Sequence, residues 1–170
     1  MIVGHIPAGY LAAILLRTHS QKWSIPQLQV LGAALFGSVA PDIDLLWFYF
    51  VDDRQYHHHT YWPHYPIVWV SIIAASLVCS YATKYAWLPL MSLVFGLAGM
   101  LHMVLDSIVG DIWWLAPWVD RPYSLFTVPA RFDHWWLNFV FHWSFILELA
   151  IWLCAYYFWL RKDQYGDDSP

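Results

Sequence analysis

Seven side chains in this sequence are of the types that hold a divalent cation: His5, Asp42, Asp44, His59, His64, His102 and Asp106. Imidazole nitrogens and carboxylate oxygens ligate zinc and manganese, and an ion so held can activate a water molecule for hydrolysis. The same groups are costly at membrane depth unless they pair, line a polar cavity or bind metal. His102 and Asp106 are four residues apart, so on a helix they share one face and can address a single ion. A hydrogen-bonded His–Asp pair across a helix interface satisfies the same burial and is the alternative reading.

Pro41-Asp42-Ile43-Asp44 sets two carboxylates on a segment that a proline interrupts. Asp42 could instead cap a new helix with Asp44 in its first turn, but capping accounts for one aspartate more readily than for two. The stretch from Tyr56 to His64 carries His57, His58, His59 and His64, with Pro63 and Pro66 stiffening it. The reading that assigns function takes His59 and His64 as ligands; the alternative is a solvated, pH-sensitive loop. His5 opens the first apolar run and can close the site from the N-terminal side. A ligand set of Asp42, His59, His102 and Asp106 comes first, with His5, Asp44 and His64 completing the shell and Asp44 and His64 as candidate acid or base. These candidates exceed the needs of one tetrahedral ion, so one or two ions per chain are expected.

The elements that must position these groups are helices in a membrane. Of 170 residues, 60% are hydrophobic and 12% charged, against roughly 25% charged in a soluble domain, with 13 Trp and 11 Tyr. The composition predicts an all-α, polytopic membrane bundle of one domain over residues 1–162, with a disordered polar tail over 163–170. Membrane helices are expected at Pro66–Tyr81, Trp87–Val109 and Leu137–Leu160. The runs Ile6–Leu16, Leu28–Ala40 and Leu45–Val51 supply two more helices, the second broken near Pro41, for about five in all. Passing these helices alternately across the bilayer brings all seven candidate groups to one side. Arg17, Lys22, Lys84, Arg161 and Lys162 fall on the other, against Arg54, Arg121 and Arg131 on the site's own side, and by the positive-inside rule this five-to-three difference gives the outer face as the expected place of the site.

Scattered basic residues and a net charge of −4 offer no track for nucleic acid. Cys79 and Cys154 fall in apolar runs and are expected to be buried free thiols. The start of the chain lacks a basic region and a small-residue cleavage site, so His5 is expected to remain. Asp133, His134, His142 and Glu148 form a second polar set, in which His142 and Glu148 are six apart and are given separate hydrogen-bonding roles. Arg121 and Arg131 could reach an anionic substrate or anchor a loop among headgroups, and Trp113, Trp114 and Trp118 read better as an interfacial belt than as chain-binding groups.

Gly4-His5, then Pro41-Asp42-Ile43-Asp44, then His59 and His64 before a membrane helix, then His102 with Asp106 before a polar loop: this order resembles the YdjM-like inner-membrane proteins, a group described as membrane-bound metal-dependent hydrolases. The resemblance implies a cytoplasmic-membrane protein of a bacterium or archaeon, bound zinc or manganese, and lipid as the surroundings. The chain departs from the family in replacing its usual arginine and glycine between the paired histidines with Thr60-Tyr61-Trp62-Pro63. It also has Val109-Gly110-Asp111 where the family has Thr-Pro. A hydrolase acting on a phosphoester or other ester of an amphiphilic molecule is the first expectation. A carrier of divalent metal ions is the alternative, as is a buried polar network that only fixes helix packing. Substrate, oligomeric state and metal identity are not encoded in any motif present.

Overall fold

The computed structural model describes residues 3–16, 25–84 and 86–161, so the tail expected to be disordered lies outside the described residues. The described chain is all-α: α1 (His5–Leu15), α2 (Gln27–Val39), α3 (Asp44–Phe50), α4 (Pro66–Ala82), α5 (Trp87–Asp106), α6 (Trp135–Val140) and α7 (Ser144–Leu160). Three short 3-10 turns, Ala40–Ile43, His58–Thr60 and Trp62–His64, all fall in the part of the chain that carries candidate ligands.

Helix α5 lies at the centre, against α2 on one flank and α4 on the other; α1 packs on α2, and α7 on α1 and α6. Small residues set how closely these helices approach. A side chain at Gly9 would meet Ser38 Oγ at 2.5 Å, and one at Gly37 would run into the Phe95 carbonyl. Ala13, Val30, Ala34, Leu90, Val94 and Ala98 fill the space between α1, α2 and α5. Such small-residue contacts let apolar helices gain dispersion contact where hydrocarbon surroundings supply no hydrophobic drive.

Two helical segments are long and apolar enough to cross a membrane, the continuous stretch Gln27–Phe50 of 24 residues and Trp87–Asp106 of 20. The helices His5–Leu15, Pro66–Ala82 and Ser144–Leu160 are apolar but shorter. The expectation of about five spanning helices is thus met by length at two. At Pro41 the α-helix tightens into the 3-10 turn Ala40–Ile43 and resumes as α3, which rotates Asp42 and Asp44 relative to a regular helix.

Two other expectations are corrected. The segment Leu137–Leu160 is not one helix: α6 stops at Val140 and α7 starts at Ser144. The His142 ring accepts from the Ser144 N–H at 3.4 Å and lies 2.9 Å from Ser144 Oγ, so a side chain competes locally with the helical ladder. Cys79 and Cys154 are free but exposed on the outside of the bundle rather than buried within the protein, because the inward faces of α4 and α7 carry Ser76, Ser80, Ser144 and Glu148 instead.

Candidate metal centre

The seven groups singled out above gather at one end of the bundle. His102 and Asp106 come from the last turn of α5, His5 from the first residue of α1, Asp42 from the 3-10 turn after α2, Asp44 from the start of α3, and His59 and His64 from the two 3-10 turns before α4. Asp106 is the hub. Its carboxylate lies 3.0 Å from His102 Nε2, 3.1 Å from His5 Nε2, 3.6 Å from His59 Nε2 and 3.8 Å from His64 Nε2. Asp42 stands 3.7 Å from His102 Nε2 and 3.8 Å from His64 Nε2. His5 stacks on His102 with ring centroids 3.7 Å apart.

What fixes the imidazoles is as informative as what they face. The Nδ1 of His102 is 2.8 Å from the Ser38 carbonyl, and that of His59 is 2.9 Å from the Asp111 carbonyl. His64 Nδ1 is bonded to the Asp44 carboxylate. Each acceptor requires a proton on Nδ1, which leaves Nε2 as a lone-pair donor. Nε2 of His64 and of His102 are buried and find no hydrogen-bond partner, and both nitrogens of His5 are likewise without one. Buried polar atoms are ordinarily satisfied, so lone pairs converging unpaired on two carboxylates call for a cation.

The spacing fits that requirement. An ion held at about 2.1 Å by each ligand puts neighbouring ligand atoms about 3.0 Å apart in an octahedron and about 3.4 Å apart in a tetrahedron. The separations of 3.0 to 3.8 Å around Asp106 bracket these values. Three of the groups whose ligand atoms all lie within 4.8 Å of one another are His64–His102–Asp106, His5–Asp42–His102 and Asp42–Asp44–His58–His64. The described clusters could therefore chelate a divalent metal ion.

The field at the site favours one positive charge and resists a second. Burial lowers the His64 imidazole, but the carboxylates of Asp106 and Asp44 outweigh it and hold it up at about 9, so at pH 7 the ring carries a second proton on Nε2 that a bound cation would have to displace. His59 is pushed well below its usual value, first by burial and then by the neighbouring His64. His59 is thus neutral at pH 7, the form that ligates metal.

Several supporting parts had no signal in the sequence. The Ser38 and Asp111 carbonyls orient ligands through backbone atoms that any residue carries. Trp69 donates from Nε1 to the Pro63 carbonyl at 2.8 Å and so fastens the turn that presents His64. A side chain at Gly110 would meet His59 Cε1 and the Asp106 carbonyl at 3.0 Å, so the glycine after α5 makes room for His59. His58, one of the three adjacent histidines, lies 3.7 Å from Asp44.

The remaining candidates stand apart from this cluster. Glu148 accepts the Val3 N–H at 2.6 Å, and His142 serves the break before α7, two separate roles as the spacing implied. Asp133 and His134 are exposed, as is Arg121. Arg131 lines a surface cavity with Thr127, Asn138 and His142. Trp113 bonds to Asp120 and Trp114 to Ser107, while Trp118 is largely exposed.

Fold and site define an all-helical, strongly apolar protein with a buried histidine–carboxylate cluster at the end of its bundle. The family model of the YdjM inner membrane protein matches residues 1–164, and the chain belongs to that family of inner-membrane proteins. No curated protein and no solved structure matches the chain.

Proposed function

We propose that this protein is a membrane-bound, metal-dependent hydrolase acting on a phosphoester or other ester of an amphiphilic molecule. The observation that carries this reading is the convergence of Nε2 atoms from His59, His64 and His102, each with Nδ1 tied off, on Asp106. In this reading His64, His102 and Asp106, whose ligand atoms lie within 4.8 Å of one another, hold one zinc or manganese ion, His59 closes on it from the Asp106 side, and His5 packs the far side of His102. Asp44, taken from the sequence as a ligand and acid–base group, is given the role of orienting His64, because its carboxylate sits on Nδ1 and not on Nε2. When bound, the ion would lower the pKa of a water molecule toward about 7 and polarise the ester oxygen.

Asp42 is the group placed to take the water's proton. Its side chain is 33% exposed, whereas those of His5, His59, His64, His102 and Asp106 are 7% exposed or less. Substrate and water therefore reach the cluster past Asp42. The water oxygen bonds to phosphorus or to the carbonyl carbon and the ester bond breaks. Asp42 takes one water proton and passes it to the leaving oxygen, which departs as the alcohol, while the other water proton stays on the acid product. Gathering of the polar groups at a single end of the bundle favours a hydrolytic site over a carrier, which needs groups along a route.

We further propose a polytopic arrangement in which α4 and α7 cross beside α2 and α5. Each has 17 residues, about 26 Å of helix, near the lower limit for a hydrocarbon core about 30 Å thick. Five basic residues on the opposite side against three on the cluster's side support an orientation with the cluster at the outer face.

The test is elemental analysis of detergent-purified protein with a parallel hydrolysis screen of lipid phosphates and aryl esters. About one equivalent of zinc or manganese, lost in His102→Ala and Asp106→Ala while helical circular dichroism is kept, together with metal-dependent turnover, is the expected result. Absence of metal after reconstitution with either ion overturns the reading.

A further inference from the structure

We propose that the apolar groove between α1, α2 and α7 receives the hydrocarbon chain of the molecule whose polar end reaches the histidine–carboxylate cluster. The substrate is then an ester bearing a long alkyl or prenyl chain. This rests on the hydrolase reading and adds to it a binding site and a chemical class.

The groove is a cavity of about 310 Å³ whose lining includes Ile6, Pro7, Tyr10, Leu35, Trp152 and Ala155. Its walls are almost wholly apolar. Two of the elements that wall it also end at the cluster. His5 faces Asp106, and Ile6 and Pro7 are the next two residues of the same helix. Leu35 precedes Asp42 by seven residues on the segment Gln27–Phe50, roughly 10 Å along its axis.

Asp42 is the most exposed member of the cluster, so a head group held there can send its chain back along α1 and α2 toward the groove. The third wall is pinned near the cluster: Trp152 donates from Nε1 to the Val3 carbonyl at 2.9 Å, and Val3 donates to Glu148. Val3 is two residues from His5, so the α7 wall is held against the same N-terminal segment that serves the cluster.

Bulk lipid chains can also lie in a slot on a membrane protein, and hydrocarbon gains no hydrophobic energy by moving from lipid into it. The groove acts by shape, aligning a chain so that the head group meets the ion, which is a contribution to orientation. Altering it changes the rate on long-chain substrates rather than their partition into the membrane.

The experiment uses full-length, metal-loaded protein and the variants Ile6→Trp and Ala155→Leu, which add bulk to the groove from α1 and from α7. Matched pairs are hydrolysed: hexadecyl and ethyl aryl phosphodiesters, and aryl palmitate and acetate. The ratio of kcat/KM for the long over the short member is expected to fall about tenfold or more in both variants. In parallel, a hexadecyl phosphonate with a diazirine at the chain end is photolysed on the wild type and the labelled peptides are mapped. Labelling within α1 and α7, reduced in both variants, supports the proposal. An unchanged ratio, or labelling outside the groove, overturns it. If the wild type hydrolyses no ester, the hydrolase reading fails, and the labelling map alone decides whether the groove binds a chain.

Discussion

Asp44→Asn separates a ligand from a group that orients one. The Asp44 carboxylate is bonded to His64 Nδ1, its side chain is 1% exposed, and its other oxygen lies 3.7 Å from His58. Asparagine keeps the shape and can still accept from Nδ1, so the His64 ring keeps the orientation that turns Nε2 toward the site. What goes is the charge. A hydrogen bond to an ionised acceptor contributes about twice as much as a neutral one, a difference of roughly 1 to 1.5 kcal/mol. Loss of an outer partner of a metal-bound histidine typically weakens metal binding about 10- to 100-fold, or about 1.4 to 2.7 kcal/mol, and the charge difference alone accounts for the tenfold end of that range. The variant is therefore expected to bind the same number of ions with Kd raised by about this factor. Competition against a chelator of known affinity, read by elemental analysis, measures both. Asp106→Asn, at the hub, should lose the stoichiometric ion in the same assay. If Asp44→Asn also loses it, Asp44 is itself a ligand and the geometric argument fails; if Kd does not move, His64 does not hold the ion.

Gly99 lies directly under the Trp69 ring, so Gly99→Ala should force Trp69 outward and cost about 1 to 3 kcal/mol, seen as a lower thermal midpoint. Because Trp69 also holds the Pro63 carbonyl, the same variant should weaken metal binding without touching a ligand. Glu148→Ala leaves the Val3 N–H without its carboxylate acceptor, a cost of about 1 to 3 kcal/mol that should appear as faster amide exchange in the segment before α1, with metal content retained. His142→Ala removes the ring that meets Ser144 at the start of α7 and should raise amide exchange there, leaving the metal stoichiometry unchanged because His142 is not in the cluster.

The ligand types were legible where a local rule applied. Four-residue spacing put His102 and Asp106 on one face of α5, and the proline before Asp42 marked a departure from regular helix that the 3-10 turn Ala40–Ile43 embodies. Alternation of the helices brought His5 to the same end. Division of labour was not legible, because it depends on which nitrogen of each ring is occupied, and that is decided by carbonyls at Ser38 and Asp111 far away in the chain. Nor was the break after Val140, since an apolar run continues through it and only the His142 side chain interrupts the ladder. The composition of α1, α4 and α7 marked them as apolar but left their lengths open, and these fall short of the two longer segments.

The tethers explain why such a cluster can exist inside an apolar bundle. Three Nδ1 atoms are held by three different parts of the chain: the end of α2, the start of α3 and the loop after α5. Each tether meets the polar demand of one ring edge and, by the same bond, turns the other edge toward Asp106. No local segment can form the site alone, so its geometry is obtained only when α1, α2, α4 and α5 are packed. Binding of an ion by the finished cluster must then be linked to that packing, since a ligand taken up by the folded form alone stabilises it by about 2.7 kcal/mol at a hundredfold excess over Kd. The close approaches at Gly9, Gly37 and Gly99 thus serve the chemistry as directly as the ligands do, because they set the helix separations on which ligand spacings of 3.0 to 3.8 Å depend.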